Sequence, residues 1–117
     1  MSKELNLNLL KKAMHTVIEE GRLGKPAFFR CIAQSAIPHE ELSSTLEDVL
    51  ILPKSWFGAE PQHSYLLGSQ ITGQITTLTK WAGGQGALIS LVSIPHGKAS
   101  KLHMVLLGGR GAAYYQS

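Results

Sequence analysis

Between Gln74 and Tyr115 the chain contains three consecutive runs with the composition and spacing of β-strands. The first is Gln74 to Trp81, the second Ala87 to Ile94, and the third Lys101 to Leu107, with Ala112 to Tyr115 as a short sequel. Each is dense in β-branched, aromatic or aliphatic residues, and Gly or Pro bounds each one. Strands joined in sequence by tight turns predict an antiparallel meander. A sheet has two faces, and at least one must be covered, so the residues before Gln74 have to supply the cover. The second run is apolar on both sides except for Ser90 and Ser93, which predicts a central strand covered on both faces. Two helices can cover only one face of a sheet of four or five strands. The other face therefore predicts a partner, of which a second copy of the chain is the simplest. Thr77, Thr79, Ile89 and Leu91 are the residues expected at that association face.

The segment before Gln74 reads as helix, strand, helix, strand. Leu9, Leu10, Ala13, Met14, Val17 and Ile18 fall at steps of three and four and form one apolar stripe, with Asn6 or Asn8 as cap and Gly21 and Gly24 as terminators. His15 lies on the flank of that helix. Pro26 cannot stand inside a helix, and the run from Ala27 to Ala33 after it reads as a strand. Phe29, Cys31 and Ala33 share its apolar face, which sends Arg30 to the opposite face. Gln34 to Leu42 has no clear period and reads as a loop or helical turn. Ser44-Thr45-Leu46-Glu47 fits a capping box, and a second helix is expected from about Thr45 toward Phe57, kinked or split at Pro53 and ended by Gly58. His63 to Leu67 reads as a short strand with Tyr65 and Leu67 on one face. The expectation is a single α+β domain over residues 1–117: an open antiparallel β-sheet with two helices packed on one face.

At 117 residues the chain has the length of one domain. Its net charge of +3 is mild, and Lys11, Lys12, Arg22, Lys25, Arg30, Lys80, Lys98, Lys101 and Arg110 are scattered, where a nucleic-acid binder concentrates its cations on a stripe. No nucleic-acid partner is expected. No apolar run approaches the roughly 18 residues of a membrane span, so no membrane partner is expected either. Cys31 is the single cysteine, which excludes an intrachain disulfide and suits a reducing compartment. No signal-peptide pattern opens the chain, and the expected location is the cytoplasm.

Several motifs invite chemistry without completing it. Gly83-Gly84-Gln85-Gly86 and Gly108-Gly109-Arg110-Gly111 resemble phosphate loops, but such a loop leads from a strand into a helix, and here strands follow both. Turns with positive φ explain them better. His39 beside Glu40 and Glu41 matches no standard metal-ligand spacing. Cys31 and the serines have no base at a motif spacing, so no hydrolytic triad is supported. An enzyme using His39 or His103 with a nearby carboxylate is the weakest reading.

The order of elements resembles a known family. The passage Glu19-Glu20-Gly21-Arg22-Leu23-Gly24-Lys25-Pro26 leading into a strand is similar to the opening of the C-terminal domain of the glucose–fructose oxidoreductase, inositol dehydrogenase and rhizopine catabolism (Gfo/Idh/MocA) family. Trp56-Phe57-Gly58-Ala59-Glu60-Pro61 resembles that family's second-helix ending. Gly83-Gly84 with Ala87, and Leu106 to Ala112, resemble its paired strands and closing turn. The resemblance implies an open sheet with helices on one face, the other face used for subunit association, and one edge near a sugar-like substrate. The family's nucleotide-binding domain, dinucleotide loop and Glu-Lys-Pro catalytic stretch have no counterpart in these residues. Thr45 to Val49 stands where the family carries an Asp and a His, and it has no histidine. The resemblance therefore implies no cofactor and no catalytic residue here, and catalysis by this chain alone is not expected.

Two functions are carried forward. The leading one is a non-catalytic subunit, self-associating as a homodimer through the open sheet face or accessory to a full-length dehydrogenase. The alternative is a sugar- or polyol-binding module with Arg30, Asp48, His63, Tyr65 and Lys80 as its polar contacts.

Overall fold

The structure, a computed structural model, describes residues 7–116. Helix α1 spans Leu7–Glu19, strand β1 Pro26–Ser35, helix α2 Leu42–Phe57, and strands β2 to β6 span His63–Ser69, Gln74–Lys80, Gly86–Ser93, Lys101–Gly108 and Ala112–Gln116. A 3-10 turn, His39–Glu41, leads into α2. The six strands form one sheet in the order β2-β3-β4-β1-β5-β6. It is an α+β fold with an open, mostly antiparallel sheet, as expected.

The meander is interrupted. β3 and β4 pair antiparallel as a hairpin, but β4 does not pair with β5. β1 lies between them, parallel to β4 and antiparallel to β5. The seven residues 94–100 step over the end of β1, where the backbone N–H of Ile94 donates to the Ser35 carbonyl at 3.0 Å. Sequence-local turns specify the β2-β3, β3-β4 and β5-β6 hairpins, whereas the insertion of β1 is a non-local pairing with no local signal.

One face of the sheet is the core. Phe29, Cys31 and Ala33 of β1, Ile75 of β3, Ala87, Ile89 and Leu91 of β4, and Met104 and Leu106 of β5 are buried with Met14 of α1 and Leu42, Leu46, Val49 and Leu52 of α2 in one cluster. The Trp56-Phe57 end of α2 clamps onto the sheet. Trp56 meets Phe29 edge-on at 5.2 Å between ring centroids, Phe57 meets Trp81 at 4.8 Å, and the Trp81 indole N–H donates to the Ala59 carbonyl at 2.8 Å. Gly58 then stops α2 in the left-handed conformation, its N–H bonding the Lys54 carbonyl.

The local details of the helices depart from the sequence reading in three places. α2 starts at Leu42 rather than Thr45, so Ser44 is already inside it and its hydroxyl donates to the Glu41 carbonyl at 3.0 Å instead of capping. Pro53 does not split α2, which runs unbroken for 16 residues; the buried ring replaces one backbone bond with packing. Asn8 lies within α1 and does not cap it, and Asn6 lies outside the described residues. His15 sits on the exposed flank of α1, its Nε2 3.0 Å from Glu19 Oε1.

The loop after α1 and the turn between β5 and β6 interlock. The N–H of Arg110 donates to the Leu23 carbonyl at 2.8 Å, and the N–H of Gly109 donates to the Lys25 carbonyl at 3.2 Å. Any Cβ on Gly108 would stand 2.2 Å from the Leu23 carbonyl oxygen, and one on Gly24, where φ is +76°, would press on Arg110. Close backbone approach explains these glycines. Both glycine loops join strand to strand, which removes the phosphate-loop reading.

Candidate functional site

Among the described residues, no helix lies on the second face of the sheet. The molecule measures 39 × 28 × 17 Å, and 17 Å is the thickness of one helix layer on one sheet. Cross-strand register fixes which side chains share this open face. Its central row reads Tyr65, Leu78, Leu88, Arg30, Val105 and Tyr114 from β2 to β6. The adjacent row reads Leu67, Thr76, Ser90, Ile32, His103 and Gln116. On the other flank stand His63, Lys80, Gly86, Phe28, Leu107 and Ala112, with the Phe28 ring lying across Gly86. The Thr76 and Ser90 hydroxyls bond each other at 2.9 Å, which leaves that pair with little demand for an outside partner.

The sequence-predicted ligand residues separate into two sets. His63, Tyr65 and Lys80 come together at the β2-β3 corner of the open face, with His63 and Lys80 directly paired across the strands. Arg30 shares the face but stands three strands in from β2 and two from Lys80 on β3, roughly 10–14 Å away at about 4.8 Å per strand. Asp48 lies on α2, on the opposite side of the sheet, and cannot join them.

The residues expected at the association face are placed differently. Thr77, Thr79, Ile89 and Leu91 do share one face, as their spacing requires, but it is the helix-covered one, and none is more than 3% exposed. The threonines fit a core because their hydroxyls are satisfied within the sheet: Thr77 and Thr79 bond each other at 3.3 Å, and Thr79 bonds Ser64 at 3.2 Å. Their neighbours in sequence, Thr76, Leu78, Leu88 and Ser90, hold the open face.

Sequence reasoning missed Leu88, Val105 and Tyr114, and named His103 only as a possible enzyme residue. The β1–β5 register sets Val105 beside Arg30 and His103 beside Ile32, and the β5–β6 register sets Tyr114 beside Val105. It also missed the apolar edge: on β2 and its turn, Tyr65 and Leu66 are each 59% exposed, Leu67 72% and Ile71 91%.

Chemical candidates fare less well. Burial pushes the Cys31 thiol up to about 12, so it is neutral and inert near pH 7. His103 lines a shallow hollow of about 430 Å³ with Ile32, Gln34, Lys101, Leu102 and Gln116, and no carboxylate lines it. Among the described residues no three His, Cys, Asp or Glu side chains gather as a metal site, and no helix is long and apolar enough to cross a membrane.

No protein-family model and no curated protein matches the sequence. Solved structures do match in fold. A probable dehydrogenase from Thermotoga maritima superposes with a TM-score of 0.70 at 16% identity, over 89% of this chain and 37% of its own length. A putative myo-inositol dehydrogenase from Sinorhizobium meliloti 1021 gives 0.68 at 18% identity over the same shares. The WlbA dehydrogenase from Bordetella pertussis, solved with NADH and UDP-GlcNAcA, gives 0.61 at 17% identity, over 95% of this chain and 37% of its own. The chain thus spans a little over a third of the dehydrogenases it matches. Its fold is that of the matched part of these dehydrogenases.

Proposed function

We propose that this chain is a non-catalytic docking module, a self-associating or accessory subunit that binds another protein surface through the open face of its sheet. The observation that carries the reading is the central row: half-buried Leu78 and Leu88 stand side by side, Arg30 separates them from Val105, which is 6% exposed, a tyrosine stands at each end, and among the described residues no helix lies over the row. The 39 × 28 Å footprint is large enough for the roughly 800 Å² per partner of a standard interface. On β2, exposed Tyr65 and Leu67 extend the apolar surface of this face. The test is the native mass of the untagged protein from its own cells, compared with Leu88→Asp. Assembly that Leu88→Asp breaks without unfolding the chain supports the reading; a monomer unaffected by Leu88→Asp overturns it.

A second reading, a sugar- or polyol-binding module, is favoured by the meeting of His63, Tyr65 and Lys80 at one corner of the face. Thermal shift with polyols and nucleotide sugars tests it, and no stabilisation by any of them counts against it.

A further inference from the structure

The open face has a charge pattern that the docking reading does not explain by itself. Of the eight Asp and Glu residues in the sequence, none lies in any of the six strands. The open face instead carries Arg30, Lys80 and Lys101, with His63 and His103. Lys80 and Lys101 are exposed and hydrated, but Arg30 sits between Leu88 and Val105. Its Nε is buried and has no hydrogen-bond partner, and the guanidinium forms no ion pair among the described residues. Water can still reach the rest of the group while the face is open. Once the face is covered, the guanidinium loses that water and needs an acceptor, preferably a carboxylate that takes two parallel N–H bonds.

A second copy laid face to face brings the same acid-free, cationic surface. Covering the face that way buries two like-charged guanidiniums, and the strands facing Arg30 supply no acceptor, since none of the six carries an Asp or Glu. A nucleic acid fits no better, because three cations separated by apolar side chains do not track a phosphate backbone.

Building on the docking reading, we infer that the open face is covered by a different protein chain, one whose apolar surface carries an Asp or Glu that pairs with Arg30. The test is photo-crosslinking in the cells that make the protein, from a benzoyl-phenylalanine introduced as Ile32→p-benzoyl-Phe beside Arg30 and, separately, as Tyr65→p-benzoyl-Phe at the exposed edge. The expected product joins this chain to another protein at a segment containing Asp or Glu. With that pair purified, Arg30→Met and removal of the partner's carboxylate each weaken binding at least tenfold, and the two together weaken it no more than either alone. A cross-link to the open face of a second copy, or to nucleic acid, overturns the inference. So does binding that Leu88→Asp abolishes and Arg30→Met leaves unchanged, an outcome that keeps the docking reading. The absence of any cross-link at both positions overturns the docking reading itself.

Discussion

Leu88 and Ile89 are adjacent on β4 and point to opposite faces, so the same substitution at each should give opposite results. Ile89 is fully buried beneath the helices, in register with Thr77 and Cys31. Ile89→Ala removes three buried carbons and leaves a cavity, a loss of about 2–5 kcal/mol by comparison with similar core truncations. Ile89→Asp adds an unpaired buried carboxylate and costs more still, a large share of the 5–15 kcal/mol that holds a domain of this size together. Leu88 is only half-buried and faces the uncovered side, next to Leu78 and Arg30. Leu88→Ala should cost about 1 kcal/mol or less, and Leu88→Asp should leave a folded chain, its new carboxylate lying beside a cation. Urea unfolding followed by circular dichroism measures all four variants, with the midpoint reporting stability and an unchanged slope confirming a comparable native state. If Leu88→Asp unfolds the chain as thoroughly as Ile89→Asp, the assignment of faces is wrong, and the docking surface falls with it.

Three further outcomes follow from particular contacts. Gly108→Ala should destabilise by about 1–3 kcal/mol in denaturant titration, because its Cβ would overlap the Leu23 carbonyl, whereas Gly109→Ala, which meets nothing, should change stability by less than about 0.5 kcal/mol. Thr45 is fully buried in α2 with its hydroxyl unbonded, so Thr45→Val should raise the unfolding free energy by about 1 kcal/mol; a loss of stability would show that the hydroxyl has an acceptor. Cys31 should resist Ellman's reagent at pH 8 in the native protein and react fully in urea. Because burial raises the folded thiol from 9.0 to about 12, its contribution to stability is complete below about pH 9 and declines as the pH rises toward 12, which titration of the unfolding midpoint across that window checks.

Much of this fold was legible in single residues. The glycines and prolines marked nearly every strand boundary, and alternation separated Phe29, Cys31 and Ala33 from Arg30 correctly. The Trp56-Phe57-Gly58 ending of α2 was readable because a left-handed stop needs glycine. Other features carried weaker signals. The capping box at Ser44 was a false one, because a preceding 3-10 turn already satisfies the start of the helix and moves it three residues earlier. Asp48 stands apart from the strand residues of its proposed ligand set, because sequence cannot tell on which side of a sheet a helix packs.

The sequence by itself determined where the strands and helices lie and which side chains share a face, since both follow from backbone geometry of period 2 or 3.6. Only the tertiary structure decided which of the two faces became the core. β4 offers Ala87, Ile89 and Leu91 on one side and Leu88, Ser90 and Val92 on the other, a difference too small to choose between them. The helices settled it by packing on the face that β1, with Phe29, Cys31 and Ala33, completes. The insertion of β1 between β4 and β5 was likewise a tertiary outcome, because pairing between strands more than fifty residues apart in sequence depends on collective burial rather than on any turn. That insertion is also what sets Arg30 between Leu88 and Val105 on a sheet whose strands carry no carboxylate.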